Sequence, residues 1–144
     1  ITHDKDSAIL TVLSLGSLIE KDYKVVTTDM DLGKLAVTIS KSHRNIFPVL
    51  DQSDRLIGVV SLDSVRLYMF RAELYRQYTV ANFMKEPPAV LMANDSLKVV
   101  AKKFEDTGAW NLPVVDENHH YIGFISRSGL FKSYRETLIK FSKE

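Results

Sequence analysis

The chain writes one stretch twice. "FPVLDQSDRLIGVVS" (residues 47–61) and "LPVVDENHHYIGFIS" (residues 112–126) share Pro, Val, Asp, Ile, Gly and Ser in a single ungapped frame, offset by 65 residues. The frame runs further upstream, where Val25 meets Val90, Leu32 meets Leu97 and Ala36 meets Ala101. Where identity fails, apolar character persists, with Leu18 and Ile19 falling on Phe83 and Met84. Chance rarely keeps apolar positions, a proline, a glycine and a serine in one register, so this is an internal duplication. Whatever fold one copy takes, the other must take too.

Each copy decodes alike. Val25, Val26 and Thr27 read as a short strand, followed by a polar cap region at residues 28–31. Leu32, Leu35, Ala36 and Ile39 then recur at the spacing that puts an apolar stripe on one side of a helix. In the second copy Asn94 or Asp95 is the expected cap, and Leu97, Val100, Ala101 and Phe104 form the stripe. Residues 46–50 and 56–60 are β-rich runs joined by the polar turn 51–55, and the second hairpin turns at 116–120. Ser61 and Ser126 close their hairpins and suit the caps of the helices that follow. From those helices Val65, Tyr68 and Met69, and Leu130, Phe131, Tyr134, Leu138 and Phe141, are expected to face inward.

The unit is β-α-β-β-α. A unit of this size buries only about 60% of its unfolded surface and is marginal alone. The expected fold is therefore α+β, with two pseudo-twofold-related repeats packed through their sheets around a shared cleft. The expected division is a linker or helix at 1–14, one repeat at 15–79 and the other at 80–144. Residues 7–19 read as an opening helix and 70–78 as a linker. "KEPP" (85–88) ends the helical turn "VANFM", because prolines cannot continue it.

Composition narrows the function classes. Apolar residues make up 45% and charged residues 26%, the balance of a folded globular chain. No apolar run approaches the roughly 20 residues that span a bilayer. The chain opens on Ile1 without a signal peptide, which suggests a piece of something longer. With no cysteine, disulfides, thiolate metal sites and cysteine nucleophiles are ruled out. A net charge of +1 offers no footprint for nucleic acid. The turn Asp116 to His120 gathers imidazoles and carboxylates, but neighbours at a hairpin tip diverge, so an exposed polar turn is expected and no metal site. Neither Ser61 nor Ser126 has a matched His and acid, and no phosphate loop or H-E-x-x-H motif is present. No enzyme activity is expected.

A β-α-β-β-α unit carrying "FPVxD…hIGhhS" in tandem resembles the CBS domain pair, or Bateman module, and the resemblance covers residues 15 to about 141. Finer wording is similar to the cytoplasmic C-terminal region of ClC-type chloride channels and transporters: "ITHDKDSAIL", "SKSHRNIFPVLD", "MFRAELY", "FEDTGAWNLPVVD" and "YIGFISRSGLFKSYR". The resemblance implies a regulatory module at the cytoplasmic face of the membrane. It also implies a homodimer and, as partner, the membrane-embedded channel domain of the same parent chain. Anion flux would be modulated by conformational coupling. Rivals are a ligand-sensing module of a soluble enzyme and a ligand-free dimerisation scaffold.

In several relatives of this group an adenine nucleotide lies in the cleft. Here the helix starts after Ser61 and Ser126 favour an anion, and their hydroxyls add donors. The loops 43–45 and 108–110 are placed to cover a base, with Arg44 and Trp110 offering flat surfaces. The candidate ligand contacts are Thr27, Arg44, Asn45, Ser61, Ser64, Trp110, Ser126 and Arg127. Plain capping is the simpler reading of the two serines, and packing between the copies that of Trp110. The family pattern also wants an Asp three residues after each serine, where this chain has Ser64 and Gly129. Asp63 lies one position early and, at ~100° per helical residue, points elsewhere. Each missing charged acceptor is worth roughly 1.5–3 kcal/mol. Losing both weakens binding at least about a hundredfold. Conventional tight adenine-nucleotide binding is therefore not expected, least of all at Gly129.

Overall fold

The computed structural model describes residues 15–142. Its elements in chain order are a 3-10 turn at Gly16–Leu18, α1 (Leu32–Ser40), β1 (Ile46–Leu50), β2 (Leu56–Ser61), α2 (Leu62–Val65), a second 3-10 turn at Ala72–Leu74, α3 (Val80–Phe83), β3 (Leu91–Met92), α4 (Leu97–Thr107), β4 (Asn111–Val115), β5 (Tyr121–Ser126) and α5 (Arg127–Ser142). The fold is mixed α+β. Two compact units result. The early unit holds residues 22–87 with 118–121, and the described part of the late unit holds 15–21, 88–117 and 122–142.

In the early unit β1 and β2 form an antiparallel hairpin with Phe47 opposite Val60 and Val49 opposite Gly58, and a bulge follows Val49. Asp51 makes the turn: its Oδ1 accepts the N–H groups of Ser53 (2.8 Å) and Arg55 (3.0 Å). These bonds, that of Arg55 first, hold its carboxyl below the usual range. Val26 pairs in parallel with Val49, so the expected opening strand contracts to one bridge. Lys85 pairs with Val59 on the other edge, exchanging both backbone hydrogen bonds at 2.8 and 2.9 Å. The core is Val26, Leu32, Leu35, Ile39, Phe47, Val49, Val60, Val65, Val80 and Phe83.

The late unit repeats this plan. Its sheet runs β3-β4-β5, with Leu91 and Met92 parallel to Val114 and Val115. Glu20 pairs with Phe124 at 2.7 and 3.0 Å, the place Lys85 takes on Val59. The core gathers Leu15, Leu18, Leu91, Leu97, Val100, Phe104, Leu112, Val114, Ile125 and Leu130.

Repeats and units are thus offset. Val80, Phe83 and Lys85 open the second copy yet complete the early unit, while Leu15, Leu18 and Glu20 open the first copy yet complete the late one. This exchange explains the glycine shared by both copies. A Cβ at Gly123 would lie 2.6 Å from the Glu20 carbonyl oxygen, and one at Gly58 would lie 3.1 Å from that of Lys85 and collide with the Met84 side chain. Only a bare backbone lets the incoming strand close on β2 or β5.

Four local expectations are corrected. The cap of α4 is Ser96, which accepts from Val99 N–H at 3.2 Å, rather than Asn94 or Asp95. Asp95 instead turns back to Met92 N–H (2.9 Å) and takes Lys103 Nζ at 3.1 Å. Residues 70–78 are no mere linker. The carbonyls of Tyr78 (2.8 Å) and Tyr75 (3.3 Å) accept the otherwise orphaned N–H groups of Leu32 and Gly33 at the start of α1. Tyr68, Tyr78 and Phe83 form a ring cluster with centroids 5.4–6.0 Å apart, leaving Phe70 outside. On α5 Leu130 is buried, but Phe131, turned ~100° from it, is 56% exposed, and Tyr134, Leu138 and Phe141 are half-buried. Of the expected opening helix, residues 7–14 lie outside the described part, and Gly16–Leu18 form a 3-10 turn. No helix of the described residues is long and apolar enough to cross a membrane.

Candidate functional site

Both copies use one backbone latch where hairpin meets helix. The N–H of Leu62 donates to the Asn45 carbonyl at 2.8 Å, and the N–H of Arg127 donates to the Trp110 carbonyl at 2.8 Å. One residue before each latch, a serine caps the helix. Ser61 Oγ accepts from Ser64 N–H at 3.3 Å, and Ser126 Oγ accepts from Gly129 N–H at 2.9 Å. Ser64 Oγ in turn donates to the Ser61 carbonyl at 2.7 Å. The structure therefore brings Asn45, Ser61 and Ser64 together in the early unit, and Trp110, Ser126 and Arg127 in the late one.

Thr27 and Arg44 are engaged elsewhere. Thr27 Oγ1 donates to Asp29 Oδ1 at 2.7 Å. Arg44 is ion-paired with Asp22, and its guanidinium lies 4.4 Å over the centre of the Tyr23 ring. The flat face proposed for a base is thus laid on Tyr23. The Arg44 hydrogen bond holds the Asp22 carboxyl below its ordinary range. Burial first, then the nearby Tyr23 and Asp22, push the Tyr121 hydroxyl up. Among the described residues no cluster of His, Asp or Glu could hold a metal ion.

Within its own unit Trp110 is 72% exposed. Its ring meets the Arg127 guanidinium at 5.1 Å, and Arg127 Nη2 donates to the Phe104 carbonyl at 3.1 Å. Beside this pair a groove of about 500 Å³ opens between α4 and α5, lined by Ala101, Phe104, Glu105, Gly108, Arg127, Leu130 and Phe131. Glu105 and Phe131 are not shared between the copies: Glu105 stands opposite Ser40 and Phe131 opposite Arg66, as Arg127 stands opposite Leu62 and Trp110 opposite Asn45.

The profile of the CBS domain matches residues 15–71 and again 80–136, nearly the whole described chain. The chain belongs to the CBS domain family. A CBS domain-containing protein of Dictyostelium discoideum is 26% identical over 113 residues, 72% of this chain and 77% of that one. Among solved structures, CbpB in complex with c-di-AMP superposes with a TM-score of 0.77 at 15% identity, covering 99% of this chain and 97% of that chain. CBSX2 in complex with AMP gives 0.69 at 22% identity, covering 88% and 98%. At such identities the structural likeness establishes the fold alone. CBS pairs are regulatory rather than catalytic modules, and they commonly dimerise.

Proposed function

We propose that this CBS pair is the cytoplasmic regulatory module of a ClC-type chloride channel or proton-coupled exchanger, working as a homodimer through conformational coupling to the anion pathway of its parent chain. The observation that carries the coupling is the place of residues 15–20. Leu15 and Leu18 are core residues of the late unit, and Glu20 is hydrogen-bonded to Phe124 from both sides. A pull on this segment reaches β5, and β5 feeds directly into Ser126 and the latch at Trp110. A displacement here biases the packing of the module, which is what coupling requires. The channel itself is inferred from the stretches that resemble ClC proteins.

The test is a disulfide engineered between the Gly16–Leu18 turn and α5, made in the full-length parent. Anion flux should change on oxidation and recover on reduction. Flux that stays constant across voltage and pH contradicts the coupling.

A second reading, adenine-nucleotide sensing, is favoured by the complexes of CbpB with c-di-AMP and CBSX2 with AMP. Against it stand Ser64 and Gly129 at the acidic positions, and the commitment of Ser61 and Ser126 to capping. Calorimetric titration with AMP, ATP and c-di-AMP should give dissociation constants weaker than about 100 µM. Micromolar affinity for any of them would make the sensor reading the better one.

A further inference from the structure

The duplication supplies an internal control for the groove between α4 and α5. Sixty-five residues before Arg127, Trp110, Glu105 and Phe131 stand Leu62, Asn45, Ser40 and Arg66. The early unit makes the same latch at the same 2.8 Å without any of the four. Folding of this unit type therefore does not demand them, and what they add in the late unit is a surface chemistry.

That chemistry is specific. Arg127 is half-buried and oriented twice over, by the Phe104 carbonyl and by the Trp110 ring. Among the described residues neither Arg127 nor Glu105 enters an ion pair. A cationic fork held still beside a largely apolar groove, and ion-paired with no carboxylate, is arranged to meet one from outside. Phe104, Leu130 and Phe131 offer the apolar wall, and a groove of about 500 Å³ lies in the range of small-molecule sites. Glu105 on the same rim sets the charge limit: a polyphosphate would bring several negative charges against it. A single carboxylate would meet only Arg127, and an N–H on the ligand would satisfy Glu105.

We propose that the groove between α4 and α5 binds a small aromatic monocarboxylate carrying an N–H donor, with Arg127 taking the carboxylate, the Phe104, Leu130 and Phe131 side chains the ring, and Glu105 the donor. The site belongs to one copy only, so the two units respond to different chemistry.

Indole-3-acetate and its neutral counterpart indole-3-acetamide are the probes, used on the whole chain. Trp110 is the single tryptophan, so its indole N–H is a unique nuclear magnetic resonance reporter. The acetate should shift that signal and bind at least about tenfold more tightly than the acetamide, the preference expected of a charge-assisted contact. Arg127→Leu installs the residue that Leu62 already shows to be compatible with the latch, and it should bring the two affinities together. Arg127→Lys should keep part of the preference and covers the case in which the leucine variant fails to fold. Equal affinities in the native chain, a preference that survives Arg127→Leu or is undiminished by Arg127→Lys, or no shift of the Trp110 signal at about 5 mM acetate would each overturn the proposal.

Discussion

The two copies carry the same scaffold and differ in what they display. In the first, Asn45 lends its carbonyl to Leu62, and the neighbouring arginine, Arg44, is folded back onto Tyr23 and Asp22. In the second, Trp110 lends the same carbonyl to Arg127, and the exposed indole lies against the half-buried guanidinium beside a groove. The shared features are backbone features: a latch, a serine cap, a glycine against an incoming strand. The differing features are side chains that folding leaves free to change. A duplicated fold thus separates its own structural requirements from its specific chemistry, because anything absent from one working copy is not needed to build the other.

The comparison is broken or sharpened most strongly in the exchanged segments. Phe83→Ala should cost about 3 kcal/mol, since it empties a core position, and Leu18→Ala at the equivalent place about the same. Urea unfolding followed by tryptophan-independent circular dichroism measures both. A much smaller loss at either site would mean that the exchange is not reciprocal. The glycines come next. Gly123→Ala meets a carbonyl oxygen that cannot swing away and should cost about 3 kcal/mol. Gly58→Ala meets chiefly the flexible Met84 side chain and should cost about 1 kcal/mol by thermal unfolding. The reverse order would contradict the packing described. Ser126→Ala and Ser61→Ala should each lose about 1 kcal/mol as caps, with the larger loss at Ser126, whose bond is shorter and whose helix is longer.

The smallest effect is on pH. The carboxyl of Asp51 titrates lower in the folded chain, so its stabilisation is complete above the ordinary aspartate value. It disappears as acid takes the pH down through the lowered value. The amide signals of Ser53 and Arg55 should move in that acid range, and Asp51→Asn should abolish the movement. Movement centred at or above the ordinary value would show that the turn does not hold the carboxylate.

Much of the fold was legible because its causes are local. The stripe Leu32, Leu35 and Ile39 is helical by spacing and buried in fact, and Asp51 sits where a hairpin needs a side-chain acceptor. Gly58 and Gly123 were visible as a shared signal, but their reason was not. It lies in Lys85 and Glu20, residues distant in sequence that arrive as edge strands. The same limit hid the work of Tyr75 and Tyr78, whose carbonyls rather than rings matter to α1. The partner of Trp110 was not legible either, because periodicity cannot say that its ring lies against the Arg127 guanidinium. The groove was not legible for a related reason: Glu105 and Phe131 differ between the copies, so the repeat carries no mark of them.

Native-state hydrogen exchange on the intact chain, measured against low urea, tests the reciprocal exchange most directly. Lys85 N–H should open together with Val59 and Val60 of the first copy, and Glu20 N–H together with Phe124 of the second. If Lys85 instead opens with residues 91–125 while residues 26–60 keep their own separate transition, each copy is closed on itself and the account fails.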